Sequence, residues 1–296
     1  MRQLFMAFAL LLTCMLARPV LAQEPITVVR YAIDNPDFTK RYDYPLALLE
    51  MALEASVPAY GPYRIERASF LASQQRLRNL VEEGEHLDIT FGMSRPEIES
   101  RMRVVPFPLM KGLLGYRVML TRPDLRSQLE NVHNLADLSR FVAVQGDQWT
   151  DTRILQANGL PVETSSDYPG MFRMLQAGRV DYFPRSIAEV WAELEEPLAK
   201  GLTLNQKVVL RYPGPFYFFV SRNNPELAER LHAGLMTLHH SGQFEAFFRS
   251  RMETRNALAF LETQEYRLLD LATPFDLPSL EQIPDSLWLS PEHMEQ

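Results

Sequence analysis

"AVQGDQWTDTRIL", Ala143–Leu155, is the stretch on which the reading of this chain turns. The residues leading into it, Phe141–Val144, are aromatic and β-branched, the composition of a short buried strand. After it, Thr150 or Asp151 can cap a helix whose apolar side carries Ile154 and Leu155, and Asn158-Gly159 supplies a left-handed stop. A strand running through a loop into a helix leaves the first helical N–H groups without partners and facing outward. Open α/β proteins place their ligands at such points. Gly146–Thr150 is therefore expected to form a ligand-facing lip, with Trp149 projecting into a cleft.

The N-terminus addresses the chain to export. Arg2 precedes an apolar run from Leu4 to Ala17, shorter than the roughly 20 residues a membrane span needs. Arg18-Pro19 breaks the run, and Val20-Leu21-Ala22 fits signal peptidase, so residues 1–22 read as a leader cleaved after Ala22 into the periplasm. The one cysteine, Cys14, leaves with the leader; the run continues past it, which argues against a lipid anchor. Thiol chemistry and disulfides are thereby excluded from the remainder. The formal net charge of −7 becomes more negative once Arg2 and Arg18 are removed, which argues against nucleic acid as a partner.

Working outward, strand-like and helix-like segments alternate. Ile26–Ile33, Tyr63–Phe70 and Leu87–Phe91 read as strands, with helices over Pro45–Ala55 and Gln74–Glu83 between them. A second set follows a crossing strand expected at Gly115–Thr121, and Pro215–Val220 returns the chain to the first. Two helices, Pro225–Leu238 and Gln243–Arg251, come next, then an irregular proline-bearing tail. The expected fold is α/β with two lobes around a cleft, each a mostly parallel sheet flanked by helices. Residues 23–116 form the first lobe, 117–213 the second and 214–255 the return, with 256–296 a tail on the first lobe.

Four stretches carry a family resemblance: "LDITFGMSRPEIESRMRVVPFP" (Leu87–Pro108), "LADLSRFVAVQGDQWT" (Leu135–Thr150), "MLQAGRVDYFP" (Met174–Pro184) and Phe216–Phe248. In this order they resemble the extracellular solute-binding proteins of family 3, the amino-acid-binding type with the type II two-lobed periplasmic fold. "GDQWTDTRIL" paired with "DYFPR" is similar to a divergent proteobacterial subgroup. The resemblance implies that Arg101, six residues before Phe107, grips a ligand carboxylate, with Met93 and Ser94 beside it. It further implies that Asp147, Gln148, Trp149 and Thr150 line the second lobe. Where many amino-acid binders hold the ligand ammonium with an acid, this chain has Arg185-Ser186, which disfavours a free α-ammonium there.

The residues themselves leave plainer readings open. Arg101 sits among Arg95 and Arg103 as in any solvated basic segment, and Arg185 can pair with Glu189 one helical turn on. Trp149 can close one lobe onto the other without touching a ligand, and Asp151 suits a helix first turn. Asp34 and Asn35 end the first strand facing the cleft, or are turn residues. The six histidines form no metal-ligand spacing, and no cofactor motif is present. The expected function is capture of a small polar, anionic or zwitterionic ligand by lobe closure, by a monomer serving an inner-membrane ABC permease. The alternatives are a sensory or scaffold module acting on a membrane partner, and a dehydratase-like enzyme in which Asp147 or Glu189 would face Arg101.

Overall fold

The computed structural model describes residues 25–33 and 40–289. The leader, Cys14, Asp34 and Asn35 lie outside the described residues. Along the first lobe run β1 (Thr27–Tyr31), α1 (Lys40–Tyr60), β2 (Tyr63–Arg67), α2 (Gln74–Glu83), β3 (Ile89–Met93), α3 (Pro96–Arg101) and β4 (Arg103–Val105). The second lobe holds β5 (Tyr116–Thr121), α4 (Pro123–Glu130), α5 (Leu135–Leu138), β6 (Ala143–Gly146), α6 (Thr150–Ala157), β7 (Val162–Ser165) and α7 (Tyr168–Gln176). It continues through β8 (Tyr182–Ser186), α8 (Val190–Leu194) and β9 (Thr203–Arg211). The return comprises β10 (Phe216–Val220), α9 (Pro225–His240), α10 (Gln243–Ser250) and α11 (Met252–Thr263), and the tail adds β11 (Arg267–Asp270).

The first lobe pairs β1 with β2 in parallel, and sets β10 antiparallel between β3 and β4. The Asp88 carboxylate fastens β1 to the start of β3, accepting from the Arg30 N–H at 2.7 Å and from its guanidinium at 2.9 Å. The second lobe is one mixed sheet ordered β11-β9-β5-β8-β6-β7, parallel where β6 meets β7 and β8, and antiparallel on both sides of β5. Both of its faces are covered. Met119 and Tyr182 pack with Ile154 and Leu155 on one side, while Leu120, Val144 and Phe183 pack with Phe172 and Leu175 on the other. That explains why its central strands read as continuous apolar runs.

The chain crosses between the lobes just before β5 and just after β9, and bare backbones meet there. A Cβ on Gly115 would lie 1.9 Å from the Tyr212 carbonyl oxygen, so only glycine fits. Tyr212 N–H donates to Gly115 O at 3.2 Å.

The tail differs from the expected irregular wrap on the first lobe. Ala257, Leu258, Phe260 and Leu261 recur at helical spacing and bury one side of α11. The next segment crosses to the second lobe, where β11 pairs in parallel with β9. There Asn158 holds Ala272 from both sides, donating to its carbonyl at 2.8 Å and accepting its N–H at 3.0 Å. The chain then returns: Ser279 Oγ donates to Glu99 on α3 at 2.6 Å, and Leu289 N–H donates to Lys111 O at 2.9 Å. Residues 264–289 thus form a strap fixed to both lobes.

Candidate functional site

In the second lobe β6 and β8 run parallel and end side by side, at Gly146 and Ser186, on the edge that faces the first lobe. The loop between β6 and α6 is tight: Trp149 N–H donates to Gly146 O at 3.0 Å, and Thr152 Oγ1 donates to the same oxygen at 2.7 Å. A Cβ on Gly146 would lie 2.6 Å from the Trp149 ring. Glycine there lets the indole fold back over its own loop. Trp149 consequently stacks on Phe183, with centroids 6.2 Å apart and planes at 20°, and lies beside Tyr168. It lines the lobe wall rather than projecting into the cleft as the sequence predicts.

Arg185, 4% exposed, passes into the aromatic group that Trp149 caps. Its guanidinium carbon sits 4.9 Å from the Phe183 ring centroid, 5.1 Å from that of Trp149 and 5.7 Å from that of Tyr168. Its Nε donates to both Glu193 oxygens, at 3.0 and 2.8 Å, and Nη2 reaches Glu189 at 3.2 Å. Tyr168 donates its hydroxyl to Glu193 at 2.7 Å. The sequence foresees the Glu189 pair as the plain alternative, but the main partner is Glu193. Strand β8 continues through Ser186 and the helix starts only at Val190, so Glu193 comes round to the guanidinium.

A second buried arginine adjoins the first. Arg117, on β5 and 3% exposed, is held 2.6 Å from Asp151 in the first turn of α6. Its other terminal nitrogen is 3.6 Å from Glu189, which therefore spans both guanidinium groups. Tyr212 donates to Asp151 and offers its ring to Arg117 at 5.7 Å. Arg117 also reaches across to the first lobe, where Nη2 lies 3.1 Å from Met93 Sδ.

The electrostatics follow from burial and pairing. Desolvation works against the charge on Arg185 and on Arg117, but Glu193 and Glu189 for the first, and Asp151 for the second, more than compensate and raise both. Burial likewise pushes the Tyr168 and Tyr212 hydroxyls up, so both stay protonated as donors. For Glu193, burial alone would raise the carboxyl; the Arg185 charge and the hydrogen bonds from Arg185 and Tyr168 outweigh it and hold it below its ordinary value. A lowered folded-state value stabilises the fold above the ordinary carboxylate range, and that contribution is lost as pH falls through the folded value. Glu193→Gln is therefore expected to flatten the loss of stability on acidification. Urea midpoints taken from about pH 7 down to about pH 3 read this slope.

Facing this wall is the segment after β3. Ser94 is fully buried and tied down, its N–H to Pro215 O at 2.8 Å and its Oγ to Glu99 at 2.6 Å. Arg95 spans the cleft, donating to Gln148 O at 2.5 Å. Its nearest acid, Glu97, is 3.9 Å away and is itself held by Arg153 of the second lobe at 2.5 Å. The Arg95 side chain is 13% exposed, its Nε has no hydrogen-bond partner, and burial lowers its pKa. It is an under-compensated cation.

Several sequence-nominated residues meet here and one does not. Met93, Ser94, Gln148, Trp149, Thr150 and Arg185 come together at the lobe junction, with Asp147 exposed on the adjoining loop. Arg101 stands apart: it ends the short helix α3, its side chain is 52% exposed, and it pairs with Glu82 on α2 at 2.6 Å. Arg101 and Arg185 do not share a lining, and Arg185 is committed to the protein's own acids. Nor does Asp147 or Glu189 face Arg101. Arg95, Arg117, Glu193 and Tyr212 were missed. Arg117 had a readable signal: it interrupts the apolar strand YRVMLT, and a buried cation there requires a buried acid.

Among the described residues no group of histidine, cysteine, aspartate and glutamate is arranged to hold a metal ion, and no helix is long and apolar enough to cross a membrane.

No family model and no curated protein matches the sequence. Solved structures do match. The binding component of an ABC transporter from Wolinella succinogenes, described as putative and complexed with lysine, is similar at 15% identity, covering 76% of this chain and 95% of its own, with a TM-score of 0.55. A histidine kinase sensor domain with similarity to periplasmic binding proteins is similar at 16% identity over 78% of this chain and 97% of its own, TM-score 0.54. An ancestral amino-acid-binding protein, a precursor of cyclohexadienyl dehydratase, is similar at 12% identity over 76% and 94%, TM-score 0.53. The fold is the two-lobed fold of the periplasmic binding proteins. The matched structures are mostly binding proteins rather than enzymes.

Proposed function

We propose that this chain is a periplasmic solute-binding protein that holds a small polar, anionic or zwitterionic ligand between its lobes for an ABC-type permease. One observation carries the reading: the opposed walls of the cleft, at Met93–Arg95 and Gly146–Trp149, meet through breakable polar contacts. These are Arg95 to Gln148 O, Arg153 to Glu97, and Arg117 to a thioether, which is a weak acceptor. Exposed ion pairs such as Arg153–Glu97 contribute about 0–1 kcal/mol, so opening the cleft costs little there. A ligand that adds contacts to both walls shifts the population toward closure.

Arg95 takes over the carboxylate-gripping role assigned by resemblance to Arg101, because its charge is buried with little compensation and a ligand anion would supply what is missing. Met93, Ser94, Asp147, Gln148, Trp149 and Thr150 form the walls around it. The likeness to a kinase sensor domain favours, as a second reading, the same binding event coupled to a membrane sensor instead of a permease. Thermal shift across amino acids, organic acids and sugars tests the proposal. An anionic or zwitterionic compound is expected to raise the melting temperature of the native protein and to lose that effect in Arg95→Ala. Equal shifts in both proteins would remove Arg95 from the site.

A further inference from the structure

The aromatic group on the second-lobe wall has the chemistry of a binding site, and it is full. Three ring faces, Phe183, Trp149 and Tyr168, surround the Arg185 guanidinium at 4.9 to 5.7 Å. Glu193 presents both oxygens to its edge, and Glu189 takes a further N–H. Aromatic faces with a carboxylate fork on the edge are what a planar, five-donor cation requires; an ammonium has neither the plane nor the fork. The box also stands at the carboxyl ends of the parallel strands β6 and β8, where open α/β sheets bind ligands.

The walls are held by contacts that do not involve Arg185. Phe172 packs edge-on against both Tyr168 and Phe183, at 5.3 and 5.4 Å. Trp149 is seated over Gly146, and Glu193 is fixed by the Tyr168 hydroxyl. Removing the arginine side chain should therefore leave the box standing.

We infer that Trp149, Tyr168, Phe183 and Glu193 form an alkylguanidinium-binding site that the chain fills with its own Arg185, so that the second-lobe wall of the cleft is self-liganded. Its place in the ligand path rests on the solute-binding reading; the site itself does not. An incoming ligand finds Glu193 and Glu189 already taken by the chain's own arginines, and recognition of an anionic group falls to the first-lobe side, at Arg95.

The test is chemical rescue. Arg185→Ala removes Cγ, Cδ and the guanidinium, a gap that N-ethylguanidinium matches. The full chain carrying Arg185→Ala is melted with N-ethylguanidinium chloride, ethylammonium chloride or sodium chloride at equal ionic strength. The expected result is a saturable rise that recovers most of the lost melting temperature with N-ethylguanidinium, none with the other two, and no rise for the native protein. Equal responses to N-ethylguanidinium and ethylammonium, or an equal rise in the native protein, would overturn the inference. Should Arg185→Ala not fold by itself, its refolding yield from urea gives the same comparison: restoration by N-ethylguanidinium only supports the site, and no discrimination refutes it. No natural ligand enters this experiment, so its failure leaves the solute-binding reading intact. A ligand-free protein would in turn leave this site intact.

Discussion

Asp151→Ala is expected to lower the unfolding free energy by about 3–5 kcal/mol, the range for removing one partner of a buried ion pair. Asp151 and Arg117 are both almost without solvent contact, at 5% and 3% exposure. With the carboxylate gone, Arg117 would keep the more distant Glu189, the Met93 sulfur and the Tyr212 ring, and the Tyr212 hydroxyl would lose its acceptor. Those losses leave buried polar groups unsatisfied, which costs more than the bond was worth. The double replacement Arg117→Met with Asp151→Leu removes both charges together and is expected to recover most of the loss. Guanidinium chloride unfolding of the two single variants and the double variant reads the coupling. A loss below about 1 kcal/mol in Asp151→Ala would mean that the pair is solvated in the folded protein.

The second large effect concerns the strap. A chain stopped at Thr263 would lose Leu269 and Leu271 from the core of the second lobe and Ile283 and Leu287 from that of the first. At about 1.5–3 kcal/mol for each fully buried aliphatic side chain, the expected destabilisation is several kcal/mol. Its distinctive consequence is mechanical. The strap ties Asn158 and Arg211 of one lobe to Glu99 and Lys111 of the other, and Phe275 lies 5.5 Å beneath the Arg153 guanidinium at the junction. Without it, the lobes stay joined by the two glycine-lined crossings, the polar cleft contacts and the packing of α11 on α8, where Phe260 meets Trp191 at 6.0 Å. The sole cysteine is Cys14, so in a Cys14→Ser background spin labels can be placed uniquely at Glu83→Cys and Gln156→Cys, both exposed. The full chain is expected to give one narrow inter-lobe distance and the shortened chain a broad, longer distribution. Identical distributions would show that the strap does not restrain the hinge.

What the sequence discloses and what it hides divide along the range of the interactions. The strand, tight loop and helix across 143–157 are local, written in β-branched residues and a left-handed stop, and they formed close to where they were expected, although Trp149 and not Thr150 or Asp151 holds the cap position, with no side-chain cap bond. The alternation of α and β segments likewise announces the two-lobed fold. The tail was misread because its prolines suggested a coil, although Ala257, Leu258, Phe260 and Leu261 carried a helical period. Its parallel pairing with β9 is a long-range event with no local mark. The site was harder still. Arg101 and Arg95 stand on either end of one short helix, and which of them turns to the cleft depends on Glu82, a residue of another helix. For Arg185 the sequence offers a ligand or Glu189 one turn on, and hides Glu193, which lies beyond a strand end and a turn, at a spacing that neither a helix nor a strand would bring together. Arg117 and Asp151 are far apart in sequence, and only their burial in apolar surroundings hinted that each needed the other.

The central claim is that a small molecule binds where Arg95 meets the Gly146–Trp149 loop. Native mass spectrometry of the purified protein, beside its Arg95→Ala variant, tests it most directly. The account predicts one equivalent of a small acidic or zwitterionic compound on the native protein, released on denaturation and absent from the variant. Protein that carries no such mass and takes up none from a mixture of amino acids and organic acids would contradict it.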